Sequence, residues 1–291
     1  MLGLLRTNEV DRGHLLLKEI QSKHDFSPDV VTFTSVISGY CKLGRMEEAS
    51  YLFNEMFCSK TKPNLITYNV LIDGFGKAGD MESAAAIYDE MLLRSCLPDV
   101  VTFSSLIDGY CRKGHVEQGL KLWHEMGIRN LCPNEYTFSI LINALCKENK
   151  LKEAREFLSQ LKWRNIIPQP FMYNPVIDGF CKAGNVDEAN LIVTEMEEKQ
   201  CKPDKLTFTI LIIGHCMKGR IAEAISIFHK MLSIGCTPDT ITVNSLISHL
   251  LKAGMPNEAN QIVLIVLEKN LGSGLSSSTK ALAPMDIFVA L

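Results

Sequence analysis

The sequence predicts an all-α fold, a right-handed α-solenoid superhelix of tandem helix-turn-helix repeats. Three observations predict it. The chain matches itself at a constant 35-residue spacing, apolar residues recur at helical spacing twice within each 35, and a column of glycine or asparagine separates the two runs. Repeats of this kind bury their apolar faces on their neighbours, so they stack in one direction.

Seven complete repeats begin at Val30, Leu65, Val100, Glu135, Pro170, Lys205 and Thr240, with no insertion between them. Repeats one to seven are therefore residues 30–64, 65–99, 100–134, 135–169, 170–204, 205–239 and 240–274, the last degenerate at its end. Residues 1–29 match the later part of a repeat, with Met1 at its seventh position, and read as a truncated repeat. Its missing first helix is expected to leave apolar surface around Leu4, Leu5 and Leu16 uncovered. Residues 275–291 continue a Gly/Ser-rich stretch and read as a C-terminal tail.

Positions are counted from the first residue of each repeat. In the first helix, positions 4, 7, 8 and 11, as in Tyr68, Leu71, Ile72 and Phe75, fall within a narrow arc at 100° per residue and form the core face. The aromatic column at position 4 (Phe33, Tyr68, Phe103, Phe138, Tyr173, Phe208) shares that stripe with aliphatics, so it reads as packing and not as a base-stacking ladder. Position 15 is Gly44, Gly79, Gly114, Asn149, Gly184, Gly219 and Gly254. Glycine, and next asparagine, takes the left-handed conformation that ends a helix, so this column caps the first helix. A small column in the second helix (Ala49, Ala84, Gly119, Ala154, Ala189, Ala224, Ala259) marks close helix contact. Prolines from Pro28 to Pro238, one per repeat, stop the second helix or lead into the next first helix.

Composition excludes several functions. The 291 residues are 46% hydrophobic and 22% charged, an ordinary soluble balance, and the formal charge of -3 argues weakly, as a sum, against a nucleic-acid partner. The longest apolar run, Ile262 to Leu267, is far short of the roughly 20 residues that span a bilayer, so no membrane role is expected. No targeting peptide is visible in "MLGLLRTNEVDRGH". The ten cysteines contain no C-x-x-C, and five of them (Cys41, Cys111, Cys146, Cys181, Cys216) share position 12, which makes them small packing residues suited to a reducing compartment. His115, Val116 and Glu117 spell H-x-E, but the P-C-x-x-C of a zinc deaminase is missing. No metal, cofactor or catalytic set is expected, and the chain reads as a non-enzyme.

The first helix has a second, unexplained face. Position 2 lies about 200° from position 4, and position 13 returns to within about 20° of position 2. Position 2 is apolar throughout: Val31, Ile66, Val101, Tyr136, Phe171, Leu206 and Ile241. Position 13 is basic in six repeats, Lys42, Lys77, Arg112, Lys147, Lys182 and Lys252, with Met217 the exception. Position 5 is always small and polar: Thr34, Asn69, Ser104, Ser139, Asn174, Thr209 and Asn244. The last position, adjacent to it in space if repeats stack, is Asn64, Asp99, Asn134, Gln169, Asp204 and Asp239, then Gly274.

With "VVTFTSVISGYCKLGRMEEA", "LITYNVLIDGFGKAGDMESA" and a terminal "KPD", the repeats resemble pentatricopeptide repeats of the plain 35-residue P-type, a plant organelle family. The resemblance covers residues 1 to about 270. It implies single-stranded RNA as partner, one base per repeat. Positions 5 and 35 then read a base edge, position 2 sandwiches the base and the position 13 cation approaches phosphate. It also implies a mitochondrial or chloroplast location, an effect on RNA processing, stability or translation, and protein partners that supply any catalysis.

Hydrogen-bond complementarity suggests the target. Aspartate only accepts and suits uracil or guanine; asparagine can donate and suits adenine or cytosine. A short Thr or Ser at position 5 leaves room for a purine, and a longer Asn reaches a pyrimidine. Thr34 with Asn64 reads A, Asn69 with Asp99 U, Ser104 with Asn134 A, Ser139 with Gln169 weakly a purine, Asn174 with Asp204 U, and Thr209 with Asp239 G. Asn244 faces Gly274 and reads at most a pyrimidine, giving 5'-AUARUG-3'. The alternative is a peptide-binding helical scaffold of the tetratricopeptide kind. It predicts a 34-residue period and a W-x-x-L-G-x-x-Y signature, neither of which the chain has. A milder reading gives the position 13 cations to the helix C-terminus and lets position 5 bond its own backbone.

Overall fold

The computed structural model describes residues 9–22, 28–161 and 168–271. Among the described residues there are fifteen helices and no strand. Helix α1 (Val10–Ser22) precedes repeat one. The first helices of the seven repeats are α2 (Val30–Lys42), α4 (Leu65–Ala78), α6 (Val100–Arg112), α8 (Glu135–Lys147), α10 (Pro170–Lys182), α12 (Lys205–Met217) and α14 (Thr240–Lys252). The second helices are α3 (Met46–Cys58), α5 (Met81–Leu93), α7 (Val116–Ile128), α9 (Leu151–Gln160), α11 (Val186–Glu198), α13 (Ile221–Ser233) and α15 (Pro256–Leu271). Every first helix begins at position 1 of its expected repeat. Leu4, Leu5, Gly274 and the tail lie outside the described residues, whereas Leu16 is 37% exposed.

The turn between the two helices is a backbone requirement. Position 15 glycines have φ between 71° and 79°, and Asn149 takes φ 59° in the same place. The second helix also ends on a left-handed residue, but here it is Lys60, Ser95, Asn130 or Gln200, and glycine only at Gly235. Behind it the chain closes with a long-range carbonyl bond, as from Thr61 N–H to Met56 O at 2.8 Å. The second helix therefore stops ahead of the proline column, which leads into the next repeat and does not itself break a helix.

Two compact bodies divide the chain at Glu148 and Asn149. In the N-terminal body α2 packs on α4, α4 on α6 and α6 on α8, so first helices form one layer; α3, α5 and α7 each pack on their own first helix and on the next one. In the C-terminal body α10, α12 and α14 form a layer of their own, backed by α11, α13 and α15. The position 4 aromatics Phe33, Tyr68, Phe103, Phe138, Tyr173 and Phe208 are at most 2% exposed, which settles them as core. Each such ring removed from water is worth about 1.5–3 kcal/mol. Ala49, Ala84, Ala154, Ala189, Ala224 and Ala259 are sealed where the layers touch. All ten cysteines are free thiols, and burial pushes Cys41, Cys111 and Cys181 up to about 12 and Cys216 up to about 11, so they stay protonated and unreactive.

Candidate nucleic-acid interface

The position 35 residue is the N-cap of the following first helix. Asp29, Asn64, Asp99, Asn134, Asp204 and Asp239 sit in extended backbone just before α2, α4, α6, α8, α12 and α14, and each accepts a hydrogen bond from the backbone N–H three residues on. That N–H would otherwise be an orphan of the first turn. The acceptor is always one oxygen, Oδ1: Thr67 N at 3.0 Å for Asn64, Thr102 N at 2.9 Å for Asp99, Thr207 N at 2.8 Å for Asp204. Capping uses the inner oxygen. The outer atom is Oδ2 on aspartate and Nδ2 on asparagine, and for Asp99 and Asp204 no hydrogen bond to Oδ2 exists among the described residues. The outer group is thus an acceptor or a donor on an otherwise identical cap.

Position 5 lies beside it, as the stacking of repeats requires. Asn69 Nδ2 donates to Asp99 Oδ1 at 3.1 Å, and Asn174 Nδ2 to Asp204 Oδ1 at 3.2 Å. The side chains of position 5 are more buried than the sequence led us to expect: Thr34, Asn69, Ser104, Ser139, Asn174 and Thr209 are all 8% exposed or less, and only Asn244 stands open. Thr34 is nearly closed because the next first helix packs over it, with its hydroxyl 2.7 Å from Thr67 Oγ1. The milder backbone reading is also partly right. Ser104 donates to Val100 O at 2.7 Å, Thr209 to Lys205 O at 2.9 Å and Ser139 to Tyr136 O at 2.9 Å.

A residue missing from the sequence argument joins the two positions. Position 3 is Thr67, Thr102, Thr137, Thr207 and Thr242, each wholly buried, and each hydroxyl lies within 3.1 Å of both a position 5 atom and the capping Oδ1. The signal was available as Asn/Asp-x-x-Thr before six of the seven apolar stripes, a capping pattern. Repeat five breaks it. Its position 3 is Met172 and its cap is Gln169, which makes no side-chain capping bond, while Met172 N donates instead to Gln169 O at 3.0 Å.

Position 2 is exposed in every repeat, from 49% at Phe171 to 67% at Ile241. Position 13 is exposed too, Met217 included. Most helical acids lie on second helices, but three share this face. Position 9 places Asp73, Asp108 and Asp178 one turn before Lys77, Arg112 and Lys182, paired at 2.7, 2.7 and 2.6 Å. Lys42, Lys147 and Lys252 have Ser38, Asn143 and Ser248 at that place and form no ion pair among the described residues. Six cations thus divide into three neutralised and three free.

All four columns meet in one groove of about 440 Å³ in the C-terminal body. Leu206 and Ile241 line it, with Thr209 and Asp239 alongside, and Asp178, Lys182 and Met217 border it. Lys205 enters the same groove, its ammonium 3.7 Å from Asp239 Oδ2. Hydrogen bonds from Thr242, backbone first and then side chain, hold the Asp239 carboxyl below its ordinary range. For Asp99, burial pushes upward, but bonds from Thr102 and the Asn69 amide outweigh it and the carboxyl is again depressed. Both are ionised acceptors at neutral pH. Among the described residues no group of three or more His, Cys, Asp or Glu could hold a metal ion, and no helix is long and apolar enough to cross a membrane.

The sequence profile of the PPR repeat family matches residues 28–77, 63–112, 98–147, 168–217 and 211–252, and a second PPR repeat profile matches 136–166 and 241–271. The chain belongs to the PPR repeat family. Comparison with curated proteins gives no match. Among solved structures, the pentatricopeptide repeat protein PPR10 from maize is 26% identical, with a TM-score of 0.67 over 96% of this chain and 39% of that one. PPR10 in complex with an 18-nt psaJ RNA element is 25% identical, with a TM-score of 0.57 over 95% and 43%. The PPR domain of Arabidopsis thaliana protein-only RNase P 1 in complex with tRNA is 19% identical, with a TM-score of 0.53 over 61% and 94%, and shares the fold. The chain spans about two-fifths of PPR10.

Proposed function

We propose that this PPR chain binds single-stranded RNA without chemistry of its own, reads one base per repeat with a preference for 5'-AUARUG-3', and acts on RNA processing, stability or translation in a mitochondrion or chloroplast. Proteins bound alongside it supply any catalysis. The observation that carries the reading is the groove at repeat six, where an apolar pair at position 2 (Leu206, Ile241), a small hydroxyl (Thr209) and an ionised acceptor (Asp239) converge in a space large enough to take a base. An aspartate held as an acceptor suits the N1–H of guanine, and flanking aliphatics give its faces something to pack against. Exposed Lys42, Lys147 and Lys252 supply the sequence-independent attraction to phosphate. PPR10, similar over nearly the whole of this chain, has been solved bound to RNA.

Asn64 and Asn134 offer Nδ2 outward and suit adenine; Asp99 and Asp204 offer Oδ2 and, with Asn69 and Asn174, suit uracil. Gln169 lacks the cap geometry, so repeat four contributes least, and Asn244 adds at most a weak pyrimidine preference. Fluorescence anisotropy with 5'-AUAGUG-3' and its single-base variants, each inside the same unstructured flanks, tests the assignment. The expected result is a loss at bases 1, 2, 3, 5 and 6 of about 5- to 150-fold per mismatch, and least at base 4. Equal affinity for all variants would refute sequence reading, and no RNA binding at low salt would refute the function.

A further inference from the structure

We infer that the position 3 threonines, Thr67, Thr102, Thr137, Thr207 and Thr242, are positioning residues that couple position 5 to position 35 and fix which hydrogen-bonding atom each presents. Resting as it does on the RNA-reading proposal, the inference adds a third residue to five of the six reading pairs, all but Ser139 with Gln169. The geometry recurs five times. A fully buried hydroxyl touches both side chains: Thr102 Oγ1 lies 2.6 Å from Asn69 Oδ1 and 3.0 Å from Asp99 Oδ1, and Thr207 Oγ1 lies 2.7 Å from Asn174 Oδ1 and 2.9 Å from Asp204 Oδ1.

The proton count explains why a hydroxyl is used. Between Thr102 Oγ1 and Asn69 Oδ1 only the threonine has a hydrogen to give, so Thr102 donates to the amide oxygen. The Asn69 amide is thereby locked with Nδ2 toward Asp99 Oδ1, leaving the second Nδ2 hydrogen and Asp99 Oδ2 with no partner among the described residues. Where position 5 is a hydroxyl the same O–H adapts: Thr67 can accept from Thr34 and donate to Asn64 Oδ1, whereas Ser104 and Thr209 give their protons to Val100 O and Lys205 O, so Thr137 and Thr242 donate to them. One rotatable O–H serves both cases. A valine of the same shape serves neither, and would release the amide to turn its oxygen outward. The coupling also means that positions 5 and 35 cannot be independent: changing one redirects the proton that orients the other. Among the first helices of the seven repeats, only that of repeat five, with Met172 at position 3, has a cap that makes no side-chain bond.

The test uses the full chain with Thr102→Val, Thr102→Ser and Thr207→Val, and RNAs that differ only at base 2 or base 5. Thr32→Val is the control, because the cap Asp29 accepts from the Thr32 backbone N–H at 2.8 Å, a bond that valine keeps, and Thr32 bonds no position 5 side chain among the described residues. Circular dichroism melts set a temperature at which every variant is folded. Wild type, Thr32→Val and Thr102→Ser are expected to prefer U over C at base 2 by roughly tenfold, and Thr102→Val by no more than about twofold, with its U preference at base 5 intact. Thr207→Val repeats the test at base 5, so loss of folding at one site leaves the other decisive. A merely structural role would lower melting temperature or overall affinity without altering preference at one base. Retention of the full U preference by Thr102→Val or Thr207→Val overturns the inference alone; a wild-type chain indifferent to base 2 and base 5 overturns the reading on which it rests.

Discussion

Asp239→Asn at repeat six changes one outer atom and little else. Thr242 N and Oγ1 bond Oδ1 at 2.9 and 2.7 Å, and asparagine keeps both bonds because its own Oδ1 accepts equally. Asparagine and aspartate are near-equal N-caps, so the exchange costs only the favourable placement of a negative charge at the helix N-terminus, about 0.3–1 kcal/mol. The reading atom reverses. Oδ2 accepts from guanine N1–H, whereas Nδ2 donates to adenine N1 and opposes guanine, and Lys205 loses its carboxylate 3.7 Å away. A base-edge discrimination of about 1–3 kcal/mol corresponds to roughly 5- to 150-fold in affinity. Electrophoretic shifts with RNAs varied only at base 6 should show G over A in the wild type and A over G in the variant, by factors in that range. An unaltered G preference in a folded variant would refute the assignment of Asp239.

Replacing the free cations Lys42, Lys147 and Lys252 by Ala is expected to lower affinity for all RNAs alike and flatten the dependence of log affinity on log salt by roughly one unit per lost phosphate contact, more than the same change at the paired Lys77, Arg112 and Lys182. Asp73→Asn with Asp178→Asn should raise affinity at low salt, since each frees a cation; unchanged titrations would return the column to helix termini. Tyr173→Phe should raise stability by about 1 kcal/mol, read as a melting temperature higher by a few degrees, because its hydroxyl is buried with no hydrogen-bond partner among the described residues and Phe33, Phe103, Phe138 and Phe208 fill the same place. Gln169→Asp supplies repeat five with a cap. The gain should be near 0.5 kcal/mol, because Met172 N already bonds Gln169 O, and base 4 should shift toward G. Acid titration gives a signed check: Asp99 and Asp239 are depressed, so their stabilising and accepting forms persist above the ordinary carboxylate pKa near 3.8 and are lost only as pH falls below it. Preference at bases 2 and 6 should therefore hold from pH 8 to 5, and a change within that window would exclude a lone aspartate acceptor.

Repeat length, helix pairing, the glycine turn and the aromatic core were legible because each is a periodic property of the chain itself. Burial of Phe103 follows from its place on a stripe, and Gly114 from the one backbone conformation that ends α6 there. The apolar, basic and polar columns of the other face were legible for the same reason. What periodicity does not contain is contact between repeats. That Thr34 is closed over by α4, or that Asn69 donates to Asp99, depends on the separation of stacked helices, which no single column encodes. The Asp73–Lys77 and Asp178–Lys182 pairs were within reach, being four residues apart on one helix, and were missed because the cations had been read as a column without their neighbours. The Asn/Asp-x-x-Thr cap was missed in the same way: Asp99 and Thr102 were assigned to different repeats, although one turn of helix joins them.

That cap ties folding to reading in a way that limits which residues can serve. Position 35 has to hold a first-turn N–H with one oxygen and keep a second polar atom free on a short, planar group. Aspartate and asparagine meet both demands and differ only at the free atom, so a chain can exchange acceptor for donor with almost no change in helix stability. Serine and threonine cap well but have no second polar atom. Glutamine, as at Gln169, has the atom but makes no side-chain bond to the first turn. A restricted alphabet at position 35 therefore follows from helix capping before any RNA is considered, and the proposed reading uses the one variable that capping leaves open.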